Sequence, residues 1–186
     1  MNVYDFDKTV YPVDSTVDFW KYCVRRWPKC LRALPGALPY GIGWKLGLCE
    51  LETFKEKFYR FLRDIPQSAV KQYWDRNIFR IYPWYLAQKR EDDVIISASP
   101  EFSVAEACRR LGVRCLASPV DPQTGHLLGK NCRAEEKVRR LEEAFPGAQV
   151  EQAYSDSLSD TPLFKRAEQA FLVKKGVPHP WENDGE

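Results

Sequence analysis

Short apolar runs recur along the chain and predict β-strands separated by longer stretches with helical periodicity. Five runs predict strands, at 2–6, 93–97, 113–117, 149–154 and 171–173. The segments between the later runs predict a hairpin and three helices, at 120–129, 99–111, 134–145 and 161–170. Strands that alternate with helices are typical of an α/β fold with a doubly wound parallel sheet. Beyond the last strand, we expect residues 178–186 to form a loose polar tail.

A long helical insertion separates the first predicted strand from the second. Apolar side chains recur at helical spacing throughout residues 14–90. Pro35–Gly36 and the glycines within 41–43 predict breaks between these helices. The pattern therefore divides the chain into two units, an α/β core formed by 1–13 and 91–186 and a helical unit formed by 14–90.

Two aspartates directly follow the first strand. Asp5 and Asp7 stand two residues apart, and side chains at this spacing on a strand share one face. Carboxylates so close repel each other unless a cation or a shared proton relieves the repulsion. The pair indicates a divalent metal site, a nucleophile with an acid/base partner, or both. A D-x-D at a strand end is also compatible with surface charge or a turn.

Polar residues mark the ends of two later strands as well. One run ends in Ser97-Ala98-Ser99-Pro100, where Ser99 is predicted to cap the following helix. Another is followed by Asp156 and Asp160, and a basic stretch with Lys130 and Lys137 lies between the two runs. Sites in doubly wound sheets lie at the carboxyl ends of the strands, so we expect these segments to meet.

In this order, the four segments resemble the four motifs of the haloacid dehalogenase (HAD) superfamily, the aspartate-nucleophile phosphatases. The S-A-S-P and S-D-S-x-x-D-T-P forms are most similar to subfamily IB, which includes phosphoserine phosphatase. The resemblance implies a Rossmann-like HAD core with a helical cap inserted after the first strand. It also implies hydrolysis of a phosphomonoester through an aspartyl-phosphate.

The resemblance assigns roles to individual residues. Asp5 would be the nucleophile and Asp7 the general acid/base. The hydroxyl of Ser97 and the amide of Ala98 would bind the transferred phosphoryl group. Hard oxygen ligands suit Mg²⁺, and the resemblance implies this cofactor. Its ligands would come from four aspartates, with Asp7 contributing its main-chain carbonyl: Asp5, Asp7, Asp156 and Asp160.

The resemblance further implies one lysine that neutralises the phosphoryl oxygens. Lys137, in Glu135-Glu136-Lys137-Val138, is the favoured candidate, followed by Lys130 and then by Arg133. Relatives often have glycine where Ala134 stands, so the turn before Lys137 departs from the family pattern. Ser155 also stands where relatives commonly have glycine.

Composition limits the functions open to the chain. Its 186 residues, 44% of them hydrophobic, suffice for one ordinary domain or for a core with a small insertion. The net charge of +2 gives no general attraction to nucleic acid, so we expect no nucleic-acid partner.

The six cysteines form no C-x-x-C pair, which argues against a zinc site and for free thiols in a reducing compartment. Asp5 and Asp7 occupy the place of a signal peptide's apolar segment, so we expect a cytoplasmic protein.

The charged residues are unevenly distributed. Residues 19–49 contain six basic residues, no acidic residue and the tryptophans Trp20, Trp27 and Trp44. Aromatic residues at this spacing most often pack in a core, but a basic segment with tryptophans can also lie on an anionic membrane. We therefore expect a phosphorylated small molecule or a lipid phosphate head group as substrate. In the second case, residues 20–48 would make a peripheral membrane contact.

Two functions from different classes remain, and phosphoryl transfer to an acceptor other than water is a further alternative. One is Mg²⁺-dependent hydrolysis of a phosphomonoester. The other is a non-catalytic phosphate-binding or membrane-associated module on the same fold. The sequence favours the hydrolase, because every carboxylate that catalysis would need is present.

Overall fold

A six-stranded sheet forms the centre of the protein, in a computed structural model that describes residues 1–182. The strands are β1 (Asn2–Tyr4), β2 (Val94–Pro100), β3 (Arg114–Ser118), β4 (Val150–Ser155), β5 (Ala167–Lys174) and β6 (Val177–Pro180). Their spatial order is β3-β2-β1-β4-β5-β6. All neighbours are parallel except β5 and β6, which are antiparallel. The predicted doubly wound parallel sheet is confirmed, and the antiparallel strand β6 adds to it at one side.

The helices fall into two groups. Five lie between β1 and β2: α1 (Ser15–Arg26), α2 (Leu34–Lys45), α3 (Leu51–Tyr59), α4 (Ala69–Asn77) and α5 (Pro83–Gln88). We call residues 15–88 the cap segment. Three alternate with the later strands: α6 (Glu101–Leu111), α7 (Glu135–Ala144) and α8 (Thr161–Phe164). Among residues 1–182, no helix combines the length and apolar character that crossing a bilayer requires.

The central strands are buried on both faces, as is usual when helices cover a parallel sheet. Tyr4 and Ile95 point to the side that packs against the cap segment. Val3, Val94 and Ile96 point to the opposite side. Because successive side chains of a strand alternate between faces, one short apolar run contributes to the buried apolar clusters on both faces of the sheet.

Several predicted boundaries are wrong because strand pairing outweighs local preference. Strand β2 continues through Ser99, so Pro100 and not Ser99 precedes α6. The helix predicted at 161–170 ends at Phe164, and most of its second half pairs with β4 as part of β5. The predicted loose tail is wrong for its first residues, because Val177–Pro180 pairs with β5. Trp181 also donates its N–H to the carbonyl of Ala170 in β5, and residues 183–186 of the predicted tail lie outside the described part of the chain.

The breaks predicted within α2 are also wrong. Pro35 lies in the first turn of α2, where the missing N–H of proline would have no helical partner. Gly41 lies against α3, and a Cβ atom at this position would be 3.1 Å from the ring of Phe54. This glycine therefore serves close helix packing and does not end the helix.

The Asp18 carboxylate ties the loop after β1 to two cap helices. It accepts hydrogen bonds from the hydroxyls of Tyr11 at 2.7 Å and Tyr73 at 2.9 Å, and from the guanidinium of Arg80 at 2.5 Å. Burial alone would raise the pKa of Asp18, but these donors outweigh burial and hold it below its usual range. A lowered pKa means that the carboxylate stabilises the fold at neutral pH and loses this effect as the pH falls below about 4.

We expect Asp18→Asn to lower the free energy of unfolding by about 2 kcal/mol at pH 7, because it weakens a charged hydrogen-bond acceptor with three donors. The difference from the wild type should shrink at pH 3, because below about pH 4 the unfolded chain binds a proton at Asp18 that the folded protein binds less readily. Urea unfolding at both pH values measures this. Equal stability of the two proteins at pH 7 would contradict the assignment.

Ala134, the residue before α7, adopts a backbone conformation that favours glycine. Its φ is 51° and its ψ is −126°, and a side chain in this region costs roughly 1–3 kcal/mol. Ala134→Gly should therefore raise the free energy of unfolding by about 1 kcal/mol, after allowing for the greater freedom of glycine in the unfolded chain. The matched change Ala144→Gly, in the same helix at ordinary dihedral angles, should lower it. Thermal unfolding of both variants tests the prediction, and a less stable Ala134→Gly would contradict it.

Candidate active site

Side chains from three neighbouring strands meet at the carboxyl-terminal ends of these strands. Asp5 follows β1, Ser97 lies in the last half of β2, and Asp156 follows β4. The N–H of Asp5 donates to the carbonyl of Tyr154 in β4 at 2.8 Å, which holds Asp5 beside that strand end. From β1, the chain first adds strands on one side (β2, β3) and then on the other side (β4, β5). Doubly wound sheets place their sites at the point where this direction changes.

The ammonium of Lys137 lies between two buried carboxylates. Its Nζ is 2.6 Å from Asp5 Oδ1 and 2.6 Å from Asp160 Oδ2. Ser155 Oγ donates to the same Asp160 oxygen at 2.7 Å. Burial alone would lower the pKa of Lys137, but the two carboxylates outweigh burial and raise it. Lys137 is only 2% exposed, so this is a charged cluster within the protein interior.

The three basic residues weighed from the sequence lie in different places. Lys137 belongs to the first turn of α7 and reaches Asp5. Arg133 lines the cavity above Asp5. Lys130 lines a separate surface cavity. Of these three, the structure brings Lys137 into contact with Asp5.

Asp7 is held by the start of the first cap helix. Its Oδ1 accepts from the N–H of Ser15 at 2.8 Å, and its Oδ2 accepts from the hydroxyl of Ser99 at 2.5 Å. The hydroxyls of Ser99 and Thr16 lie 3.0 Å apart. Asp7 therefore faces the cavity in an orientation set by both the cap segment and β2.

Burial raises the pKa values of the two aspartates. The pKa of Asp5 rises to about 7, mainly through burial, although Lys137 opposes the rise. The pKa of Asp7 rises to about 6, again mainly through burial and also through the charge of Asp14. Carboxyl groups with pKa values in this range can exchange protons near neutral pH.

The Ser97–Ser99 segment makes more contacts at the site than its sequence indicated. Ser97 is buried and its hydroxyl accepts from the N–H of Ser99 at 3.1 Å. Ala98 lines the cavity. Ser99, predicted to be only a helix cap, instead orients Asp7. The available signal was the i, i+2 spacing of the two serines, which on a continuing strand places both on one face.

Oxygen atoms that suit a divalent cation line the same cavity. Asp5, Asp156 and Asp160 all line it, and Asp160 Oδ1 is buried without a hydrogen-bond partner among residues 1–182. Within the same residues, no three His, Cys, Asp or Glu side chains lie close enough to hold a metal ion by themselves. Hard oxygen donors are the ligands that Mg²⁺ prefers. The donor chemistry therefore fits Mg²⁺, although further ligands must complete its coordination.

The cavity has a volume of about 580 Å³ and two contrasting sides. Its charged floor comes from the sheet edge. Its opposite wall is built by apolar and aromatic side chains of the cap segment: Val17, Trp20, Leu34, Trp44, Leu51, Phe54, Phe58 and Tyr59. A smaller cavity of about 280 Å³ shares four of these wall residues and continues along α2.

Sequence comparisons find similar proteins over different parts of the chain. The family model of haloacid dehalogenase-like hydrolases matches residues 3–165. Protein CicA of Caulobacter vibrioides is 39% identical over 93 residues, which is 46% of this chain and 42% of CicA. The match thus spans less than half the length of this curated relative.

Two solved structures share the fold over most of the chain. A protein of unknown function from Bordetella pertussis Tohama I superposes with a TM-score of 0.74 at 18% identity, covering 92% of this chain and 88% of that one. A probable phosphoserine phosphatase from Vibrio cholerae superposes with a TM-score of 0.68 at 14% identity, covering 91% and 55%. Since the family model matches most of its length, the chain belongs to the haloacid dehalogenase-like hydrolases.

Proposed function

We propose that this protein is a Mg²⁺-dependent phosphomonoester hydrolase that forms an aspartyl-phosphate on Asp5. The position of Asp5 is the observation that supports this most directly. Its carboxylate lies at the floor of the cavity, 2.6 Å from the Lys137 ammonium. A second carboxyl, Asp7, faces the same space. The probable phosphoserine phosphatase among the similar structures supports hydrolysis of a phosphomonoester.

The reaction would proceed in two displacements. In the first, a carboxylate oxygen of Asp5 bonds to phosphorus while the ester P–O bond breaks, and Asp7 donates a proton to the leaving oxygen. In the second, Asp7 takes a proton from a water molecule whose oxygen bonds to phosphorus, and the Asp5–phosphorus bond breaks to release inorganic phosphate. Lys137 would oppose the negative charge of the phosphoryl oxygens, which the Ser97 hydroxyl and the Ala98 amide would bind.

Four aspartates would hold Mg²⁺ in this proposal: Asp5, Asp7 through its main-chain carbonyl, Asp156 and Asp160. Asp160 Oδ2 already contacts Lys137 and Ser155, so its Oδ1 is the oxygen available to an ion. When bound, the ion would neutralise part of the charge of the carboxylates and the phosphoryl group.

The apolar cavity wall favours a substrate with an apolar leaving group. Between a phosphorylated small polar metabolite and a lipid phosphate head group, the eight apolar wall residues match the lipid better. Apolar residues directly after α2, whose Trp44 lines the cavity, are exposed, among them Leu46 at 67% and Leu48 at 77%. Residues 19–49 contain no acidic residue, which suits an anionic surface. We propose a peripheral contact of residues 20–48 with an anionic membrane on its cytoplasmic side.

Asp5→Asn should abolish hydrolysis of an aryl phosphate in the presence of Mg²⁺, and Asp7→Asn should slow it by about 10²–10⁴-fold because it removes a proton donor. Release of inorganic phosphate measures both effects. Asp75→Asn removes a carboxylate that is 55% exposed and lies outside the cavity, so it should leave the rate unchanged. A wild-type protein that binds phosphate but hydrolyses no ester across a broad panel would instead indicate the non-catalytic binding module.

The double variant Leu46→Asp/Leu48→Asp should bind anionic vesicles at least about tenfold more weakly, since it removes apolar contact area and adds like charge. Sedimentation with phosphatidylcholine/phosphatidylglycerol vesicles measures binding, and hydrolysis of a soluble aryl phosphate should not change. Phe79→Asp is the matched control, because Phe79 is 78% exposed but lies outside residues 20–48. If the wild-type protein does not sediment with vesicles, the membrane contact is wrong and a soluble phosphate ester is the substrate.

A further inference from the structure

Lys55 connects the cap segment with two segments of the core. It belongs to α3, and its Nζ donates to the carbonyl of Ala98 at 2.8 Å and to Asn131 Oδ1 at 2.7 Å. Ala98 lies in β2, and Asn131 lies six residues before Lys137. One ammonium group thus joins the cap segment to both sides of the phosphoryl-binding region.

The two acceptors depend on Lys55 for full hydrogen bonding. The hydroxyl of Ser118 lies 2.9 Å from both the Ala98 carbonyl and Asn131 Oδ1. A hydroxyl has one proton and can donate to only one of them at a time, whereas an ammonium has three protons. Ser118 and Asn131 are buried, and a buried acceptor without a donor costs about 1–3 kcal/mol.

The charge of Lys55 is itself unusual for a structural contact. Both of its hydrogen-bond partners are uncharged oxygens, and it lines the same cavity as Asp7. Burial lowers the pKa of Lys55 to about 8, although the charges of Asp14 and Asp7 oppose this shift. Since desolvating an ammonium without a contacting carboxylate is costly, a purely structural link would be better served by a neutral donor.

The peptide bond after Ala98 transmits the position of Lys55 to the reacting groups. This bond is planar, so holding the Ala98 carbonyl also fixes the N–H of Ser99. That N–H donates to the hydroxyl of Ser97, and the Ser99 hydroxyl donates to Asp7. A chain of three contacts therefore leads from the cap segment to a phosphoryl-binding hydroxyl and to the acid/base carboxyl.

We propose that Lys55 is a positioning residue that couples closure of the cap segment to the geometry of Ser97 and Asp7. The inference rests on the proposed phosphatase function. With Lys55 in place, the Ser97 hydroxyl and the Asp7 carboxyl are oriented for a phosphoryl group. With α3 withdrawn from the core, the peptide after Ala98 loses its fixed position and the phosphoryl group is bound more weakly.

The neighbouring residue Glu56 provides a matched control. Its carboxylate accepts from the N–H of Leu127 at 3.3 Å and lies 2.9 Å from Nδ1 of His126. It therefore docks the same helix onto the segment after β3, which Val120 and Leu127 close with one antiparallel bridge, without touching β2. A change at Glu56 weakens docking of the cap segment, whereas a change at Lys55 also releases the Ala98 carbonyl.

The test compares Lys55→Met, Lys55→Arg and Glu56→Ala by titration with inorganic phosphate in the presence of Mg²⁺. We expect Lys55→Met to raise the Kd about tenfold, the loss of one charged hydrogen bond, and Lys55→Arg to recover part of the affinity. For an aryl phosphate, Lys55→Met should raise KM more than it lowers kcat. Amide exchange at Ser99 in the free protein should become faster in Lys55→Met. Glu56→Ala weakens docking of α3 but leaves Lys55 able to hold the Ala98 carbonyl, so it should change both the Kd and this exchange rate much less than Lys55→Met does.

Two results would overturn the inference. One is an unchanged phosphate Kd together with unchanged exchange at Ser99 in Lys55→Met. The other is an equal effect of Lys55→Met and Glu56→Ala, which would mean that Lys55 only docks the cap segment. If Lys55→Met does not fold, Lys55→Gln, which retains a donor, takes its place with a smaller expected effect. Phosphate affinity and amide exchange can be measured without turnover. A wild-type protein without hydrolase activity would therefore refute the proposed function, while these two measurements would still test the positioning role of Lys55.

Discussion

The contact of the Lys137 ammonium with Asp5 and Asp160 is the interaction on which the site depends. It joins the end of the central strand, the first turn of α7 and the short helical turn after β4, which are far apart in sequence. Bringing these charges out of water costs several kcal/mol per ion, and only close, well-paired geometry offsets this cost. Without the ammonium, the two buried carboxylates would face each other, so the placement of α7 and the placement of Asp5 depend on the same contact.

The cluster also retains an excess of negative charge. Asp5 and Asp160 share the ammonium of Lys137, and Asp7 adds a third carboxyl whose charge acts on Asp5. Burial raises the pKa of Asp5 despite Lys137, and it also raises the pKa of Asp7. Raised carboxyl pKa values mean that uptake of a proton or a cation stabilises the site. A phosphate ester would add further negative charge. Substrate binding and uptake of positive charge are therefore linked by the same electrostatics that hold the fold together at this point.

The parts of the site that follow from local rules could be predicted from the sequence. Asp5 and Asp156 follow apolar runs, and in a parallel sheet the carboxyl ends of neighbouring strands meet. The spacing of Ser97 and Ser99 places both on one face only if the strand continues, and the pairing of Pro100 with Ser118 that extends β2 leaves no local signal in the sequence. Lys55 gave no signal either, since a lysine in a polar helix usually lies in solvent. Its burial arises only when α3 packs onto the core.

The two sides of the cavity come from different parts of the chain, and different forces hold them together. The loop after β1 is tied to the cap segment by Asp18 and its buried partners Tyr11 and Tyr73. In contrast, α3 meets the core at the cavity through polar contacts such as that of Lys55. Water can replace polar contacts at little net cost, whereas separating buried aromatic groups loses apolar contact area. The cap segment should therefore open at α3 and pivot near α1, exposing the apolar wall and the charged floor to a substrate at the same time.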